Sequence, residues 1–424
     1  MTAEGAASRG GLSSFIAADP REVPAVIGGF TLFFLLFASY FMLRPVRETF
    51  GIAGGTDNLQ WLFTATFVAT LAVVPLYGWV SRRVPRRQLL PVTYCFSALV
   101  MLAFAVGLRV DPGNVWAARA FYVWLSVFNL FVISIAWSFM ADVMDPEQAK
   151  RLFGPVAAGA SLGGLCGPLL SALLVESVGH AGLLALSTVL LLATLVCVVF
   201  LQRWARQNHR ERSHAEQPIG GSIWAGLTLI ARQPYLLMIS AFVLLLTIVS
   251  TFLYMEQARI VEAAFPDPVR QTQVFGALDA IVQASTIGLQ IFATGRLAKR
   301  LGVTVLLVAV PVLMVLGFGV LAFTATFPIF AAVMIVRRVG EYAFVRPGRE
   351  MLFAPVDQAT KYKAKNAIDT AVYRGGDVAG AWASAAIVAS ASANAPAIAG
   401  AAIAAIWAIV GLAIGRKSDR QISP

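Results

Sequence analysis

The chain has 424 residues, of which 58% are hydrophobic and 13% charged, and its mean hydropathy is +0.75. Soluble domains run near 45–50% apolar and about 25% charged, so this composition excludes a water-soluble globular enzyme and a disordered chain. The formal charge of +11, from 33 Lys+Arg against 22 Asp+Glu, fits a membrane protein with a basic cytoplasmic face better than a nucleic-acid binder.

A helix needs about 20 apolar residues to cross a bilayer. Such stretches are predicted near 23–43, 59–80, 88–108, 116–140, 154–176, 180–202, 234–256, 274–294, 303–323, 327–345, 366–392 and 396–415. They do not alternate every second residue, as barrel strands would. The first ends in Tyr40-Phe-Met-Leu-Arg-Pro-Val-Arg-Glu-Thr49, which places Arg44, Arg47 and Glu48 at its outer edge. The second and third are joined by Gly78-Trp-Val-Ser-Arg-Arg-Val-Pro-Arg-Arg87. The fourth holds Arg119, close to a membrane edge, and is followed by Ala141-Asp142 and Glu147-Gln-Ala-Lys-Arg-Leu-Phe153.

The fifth span reads Gly159-Ala-Ser-Leu-Gly163-Gly-Leu-Cys-Gly167-Pro168. Glycines every four residues make a flat ridge that another helix can approach closely. Gly159–Gly163 also satisfies G-x-S-x-G, but a nucleophile elbow needs a strand-turn-helix setting and a histidine partner. Here the motif lies in an apolar helix, and His180, His209 and His214 fall in loops. The longest connection, about 202–233, is polar and basic, and Ser222–Ala231 is apolar enough for a short helix lying on the membrane surface.

Beyond it, the seventh span ends with Glu256 and Arg259, and the eighth contains Asp279. Gly295-Arg-Leu-Ala-Lys-Arg-Leu-Gly302 joins the eighth to the ninth, the same place in the second half that Gly78–Arg87 holds in the first. The tenth span carries Arg337, Arg338 and Glu341, followed by Arg349-Glu-Met-Leu-Phe-Ala-Pro-Val-Asp357 and Lys363-Ala-Lys-Asn-Ala-Ile-Asp369. Arg337 and Glu341 are four apart and share a helix face, as do Asp369, Tyr373 and Asp377, with Arg374 beside them. The eleventh repeats the glycine ridge with Gly376, Gly380 and Ser384. Cys95, Cys166 and Cys197 lie singly in apolar runs and read as packing residues. No Walker lysine follows a glycine-rich loop and no His/Cys cluster is spaced for a metal.

With the N-terminus inside, 24 of the 33 basic residues fall in cytoplasmic segments and 5 outside. The positive-inside rule therefore puts both termini in the cytoplasm. The expected organisation is a tail at 1–22, a six-helix bundle at 23–202, a linker at 203–233, a second six-helix bundle at 234–415 and a tail at 416–424.

In this layout the chain resembles the major facilitator superfamily. The glycine and basic run of that family's loop between spans two and three match Gly78, Arg83, Arg86 and Arg87, while Arg82 stands at the family's aspartate. In the repeat, Gly295, Leu297, Ala298, Arg300 and Gly302 match, with Lys299 at the aspartate position. More narrowly, Tyr40–Thr49, Ala141–Phe153, Glu256 with Arg259, and Arg349–Asp369 are similar to the nucleotide transporters of plastids and intracellular bacteria. The resemblance implies an all-α integral membrane protein of twelve transmembrane helices in two pseudo-symmetric six-helix bundles. Spans one, four, seven and ten would line its cavity.

A charged group inside a bilayer costs several kcal/mol unless it faces a cavity or a partner. Arginine's planar, permanent charge suits phosphate or carboxylate. The expectation is therefore a secondary transporter of a small organic anion, a nucleotide or other phosphorylated metabolite. Its substrate residues would be Arg47, Arg119, Glu256, Arg337, Arg338, Glu341, Arg349, Lys365, Asp369 and Arg374. Trp61, Trp124, Trp137, Tyr40 and Tyr373 could stack a ring. Gating would fall to Gly78, Arg83, Arg87, Gly295, Arg300, Gly163, Gly167, Gly376 and Gly380. The chain would work as a monomer in a bacterial inner membrane, without catalytic residues, metal or cofactor. A proton-coupled carrier of peptide, muropeptide or sugar is the competing reading, and a polytopic membrane enzyme or scaffold a more distant one.

Overall fold

The computed structural model describes residues 19–208, 223–392 and 394–422. The N-terminal tail before residue 19 and linker residues 209–222 lie outside the described residues, as do the side chains of Arg87 and Arg300 and the surroundings of Gly295.

The described residues are helical throughout. In chain order the helices are α1 (Val23–Ile52), α2 (Leu59–Arg83), α3 (Arg86–Val110), α4 (Val115–Val143) and α5 (Pro146–Asn208). Then come α6 (Ile223–Arg232), α7 (Pro234–Ala264), α8 (Pro268–Leu289), α9 (Gly295–Phe323), α10 (Phe327–Gly340), α11 (Arg346–Met351), α12 (Gln358–Ala367), α13 (Tyr373–Ser390) and α14 (Ala395–Ile422). Nine helices among the described residues are long and apolar enough to cross a membrane. The longest, α5, turns at Gly179, whose φ of 68° is open to glycine and strained for other residues. Gly302 bends α9 in the same way, at φ 73°.

Among the described residues three π-helical turns interrupt the helices, at Gln290–Thr294, Glu341–Val345 and Ile368–Val372. The last two join α10 to α11 and α12 to α13. These stretches hold many of the chain's intramembrane charges and are accordingly less apolar than the other spans.

Apolar side chains from residues 25–204 form one core and those from 230–414 another. A third, smaller cluster takes members from both, including Ile52, Leu59 and Tyr122 with Met255, Val261 and Phe275. It closes one end of the molecule. Beside it Thr56 donates to Glu262 (2.8 Å), Tyr122 and Tyr254 share a hydrogen bond (3.0 Å), and Trp61 meets Trp382 edge-on. Helices α1 and α7 are the most buried of the apolar helices, with 61% of their most apolar window covered.

The glycine ridges explain that burial. A Cβ on Gly159 would lie 2.2 Å from the Phe30 carbonyl oxygen, on Gly163 2.3 Å from that of Phe34, and on Gly167 2.7 Å from that of Ala38. The ridge of α5 therefore touches the backbone of α1. Gly376 and Gly380 on α13 press likewise against Thr247, Ile248 and Thr251 of α7. Both ridges are occupied by helix packing inside one core. The short helix α6 lies against α12, with Gly226 beside the Lys363 carbonyl.

Gly163→Ala should therefore destabilise the protein, because a methyl cannot fit against backbone without moving a helix; overpacking of this kind costs about 1–3 kcal/mol. Gly78→Ala, where a Cβ would meet nothing within 4 Å, should not. Thermal unfolding in detergent checks both, and equal midpoints for the two variants would contradict the packing assignment.

Candidate functional site

Between the two cores lies a cavity of about 420 Å³. Its walls come from α1, α2, α4, α7, α8, α10, α11 and α13, with the π turns at Glu341–Val345 and Ile368–Val372. On α1, Arg44, Arg47 and Glu48 share a face at spacings of three and four. They lie well inside the helix rather than at its outer edge, because α1 runs on to Ile52. From α4 come Tyr122, Ser126 and Asn129, and from α7 Ser250, Thr251 and Tyr254.

Seven arginines line this space: Arg44, Arg47, Arg337, Arg338, Arg346, Arg349 and Arg374. Five carboxylates answer them: Glu48, Asp279, Glu341, Asp369 and Asp377. Arg47 donates to Glu48 and, at 3.3 Å, to Ser126. Glu48 also accepts from Tyr254, which ties the first core to the second. Asp279 sits between Arg338 (2.5 Å) and Arg44 (3.5 Å), one arginine from each core. Glu341 accepts from Arg337 (2.9 Å) and Arg346 (3.4 Å), and Asp377 from Arg374 (3.3 Å) and Thr251 (3.3 Å), while Asp369 forms an ion pair with Arg349 (3.0 Å).

Every carboxylate is thus matched, and two positive charges remain over. The Nε–H donors of Arg47, Arg337, Arg338 and Arg349 are buried and have no acceptor within the described protein. The lining grows more exposed away from the closed end. The Arg338 side chain is 7% exposed, while that of Arg346 is 52%.

Of the residues expected to bind substrate, the structure gathers Arg47, Arg337, Arg338, Glu341, Arg349, Asp369 and Arg374 around one space. Three lie elsewhere. Arg119 stacks on Trp116 and donates weakly to the Gly54 carbonyl (3.5 Å), outside this cavity. Glu256 pairs with its own neighbour Arg259 (3.1 Å), beside the lining rather than in it. Lys365 pairs with Glu350 (2.7 Å), and neither lines the cavity. Among the aromatic candidates only Tyr373 lines the cavity; Trp137 packs on Phe33 and Phe153, and Tyr40 is buried beside Phe41. Trp61 and Trp124 line a separate lateral cleft.

Sequence reasoning does not place Arg44, Glu48, Tyr122, Tyr254 or Arg346 among the substrate residues, yet all five line the cavity. A regular helix turns Arg346 about 140° from Glu341 at 3.6 residues per turn. The π turn at Glu341–Val345, closed by i→i+5 bonds, brings it back to the same side.

The sequence profile of the Major Facilitator Superfamily matches residues 25–266, more than half of the chain. The chain is 22% identical over 431 residues to ADP,ATP carrier protein 1 of Chlamydia muridarum, covering 85% of this chain and 81% of that one. It is also 22% identical over 446 residues to ADP,ATP carrier protein 1 of Chlamydia pneumoniae, covering 88% and 86%. Among solved structures it superposes on a mutant form of the nucleoside transporter NupG with a TM-score of 0.64 at 14% identity, over 94% of this chain and all of that one. The POT family transporter PepTSo gives 0.66 at 14%, over 95% and 99%. These relatives are transporters, and the fold, the charged central cavity and the profile agree: the chain belongs to the major facilitator superfamily, as a multi-pass membrane transporter and not an enzyme.

Proposed function

We propose that the protein is a secondary transporter that exchanges small organic anions, of the nucleotide or phosphorylated-metabolite class, by alternating access. The observation that carries this reading is the excess of seven arginines over five carboxylates around one cavity. Two uncompensated charges in a low-dielectric space are a strong demand for an anion. The guanidinium forks of these lining arginines suit the oxygens of a phosphate. The weak likeness to ADP,ATP carriers supports a nucleotide within that class. Tyr122, Tyr254 and Tyr373 offer faces and hydroxyls for the rest of such a molecule.

In this reading the chain forms twelve spans in two six-helix halves. Gly179 divides α5 into two spans, and the π-linked pairs α10–α11 and α12–α13 supply the charged ones. Both termini lie in the cytoplasm of a bacterial inner membrane, so the end closed by the shared cluster is the outer one and the cavity faces inward. The halves rock about Asp279 and Glu48 as a single copy of the chain. The segments Gly78–Arg87 and Gly295–Gly302, at the matching junctions of the two halves, limit the cytoplasmic swing.

Exchange is favoured over proton symport because each cavity carboxylate already forms an ion pair with an arginine, and protonating one would break that pair. Proteoliposomes should therefore take up labelled ATP or ADP only when loaded with unlabelled nucleotide, with little response to an imposed pH gradient. Full uptake into empty vesicles driven by a proton gradient alone would overturn exchange.

Removing one charge-assisted hydrogen bond costs about 1.5–3 kcal/mol. Arg338→Ala should therefore lower exchange by roughly 10- to 150-fold. Arg109→Ala, on an exposed helix end, should stay within about twofold of wild type, since surface charges away from a site contribute little. Equal rates for the two variants, at equal reconstitution, would count against the cavity as the binding site.

A further inference from the structure

A second cavity lies outside the central one. It is a lateral cleft of about 750 Å³ between α2 and α4. Its lining is Leu62, Ala65, Ala69 and Val73 on one wall and Ala120, Val123 and Val127 on the other, with Trp61 and Trp116 at its rim, 58% and 76% exposed. Its polar members, Asn58 and Arg119, stand together at one end.

The depth of the cleft fits one leaflet. At 1.5 Å per residue the α4 wall rises about 12 Å from Arg119 to Val127 and the α2 wall about 17 Å from Leu62 to Val73. The hydrocarbon of one leaflet is about 15 Å thick, half of a 30 Å core. Arg119 itself lies one turn inside α4, at the level where headgroups sit. Tryptophans gather at that same level in membrane proteins.

Arg119 forms no ion pair among the described residues. Its contacts are the Trp116 ring (5.2 Å) and the Gly54 carbonyl at 3.5 Å. Gly54 holds it in place: at φ +84° the chain turns beside Val115, and a Cβ there would lie 2.5 Å from the Val115 side chain and 3.1 Å from an Arg119 nitrogen. A cation is thus held over an apolar slot whose walls are the two helices α2 and α4.

We propose that this cleft is a phospholipid site: one acyl chain fills the slot between α2 and α4, and Arg119 binds the lipid's phosphate. The pairing satisfies both halves of the cleft at once. The acyl chain supplies the van der Waals contacts that a bare cleft lacks. The phosphate supplies the counter-charge that no carboxylate gives Arg119, in a fork geometry guanidinium matches well. This site is independent of the central cavity and of what that cavity carries.

The test is native mass spectrometry of delipidated protein supplied with defined amounts of phosphatidylglycerol. Diacylglycerol, which has the tails without the phosphate, and inorganic phosphate, which has the charge without the tails, serve as controls. Wild type should retain one phosphatidylglycerol above the non-specific distribution. Arg119→Ala should reduce that occupancy at least fivefold, and Arg119→Lys should keep more than half of it. Ala69→Phe, which fills the slot and leaves Arg119 in place, should reduce it as far as Arg119→Ala does. Neither change should alter the monodisperse elution of the protein. Undiminished phosphatidylglycerol retention in Arg119→Ala or in Ala69→Phe would overturn the proposal. So would Arg119-dependent retention of inorganic phosphate alone, which would make this a soluble-anion site.

Discussion

Charge pairing between the two cores is the constraint on which the rest depends. An arginine cannot shed its charge, and in a low-dielectric interior it must find a partner or a cavity. This chain brings seven to one place and supplies five carboxylates. Asp279 is the central member, because its two oxygens reach Arg44 from the first core and Arg338 from the second. Glu48 makes a similar bridge through Tyr254. Both bridges hold the two cores in register through polar contacts. Polar contacts can be exchanged for contacts to a ligand, whereas an apolar seam would have to be torn open.

The apolar parts of the molecule serve that arrangement. Each core is tightened by a glycine ridge that draws one helix onto the backbone of the helix carrying cavity residues: α5 onto α1, and α13 onto α7. A helix held at backbone contact cannot roll, so Arg44, Arg47 and Glu48 keep their aim, as do Ser250, Thr251 and Tyr254. The shared apolar cluster at Ile52, Tyr122, Met255 and Phe275 closes one end and leaves the other to the more exposed Arg346. A cavity sealed at one end by packing, with an exposed charged mouth at the other, has the asymmetry that alternating access requires.

Much of this is legible in the residues. Apolar run length locates the helices, and glycine spacing locates both ridges, because each signal is local. Arg337 with Glu341 is readable from a four-residue spacing on a regular helix. What escapes has two physical causes. The apolar run of the first span breaks at Arg44-Pro45, but the helix does not: paired charges let it continue to Ile52, which moves Arg44, Arg47 and Glu48 from the membrane edge into the cavity. The π turn at Glu341–Val345 shifts register by one residue, which spacing rules for α-helices cannot anticipate, and so Arg346 reads in the sequence as a topology charge. Arg119 errs the other way. Membership of span four suggests access to the cavity, and Arg119 shares a helix face with Tyr122 and Ser126, but it lies nearer the helix start, past the cluster that includes Tyr122, and lines the lateral cleft instead.

The central claim is that two surplus positive charges select the ligand, and a charge series on one scaffold tests it most directly. Purified protein is titrated with adenosine, AMP, ADP and ATP at fixed ionic strength, and the unfolding midpoint is followed, since a ligand bound to the folded state raises it by mass action. The account predicts no shift with adenosine and concentration-dependent shifts with the phosphorylated members, which Arg338→Ala moves to roughly 10- to 150-fold higher ligand concentration. A shift with adenosine equal to that with ADP would contradict it, because the cavity would then be reading the ring and not the charge.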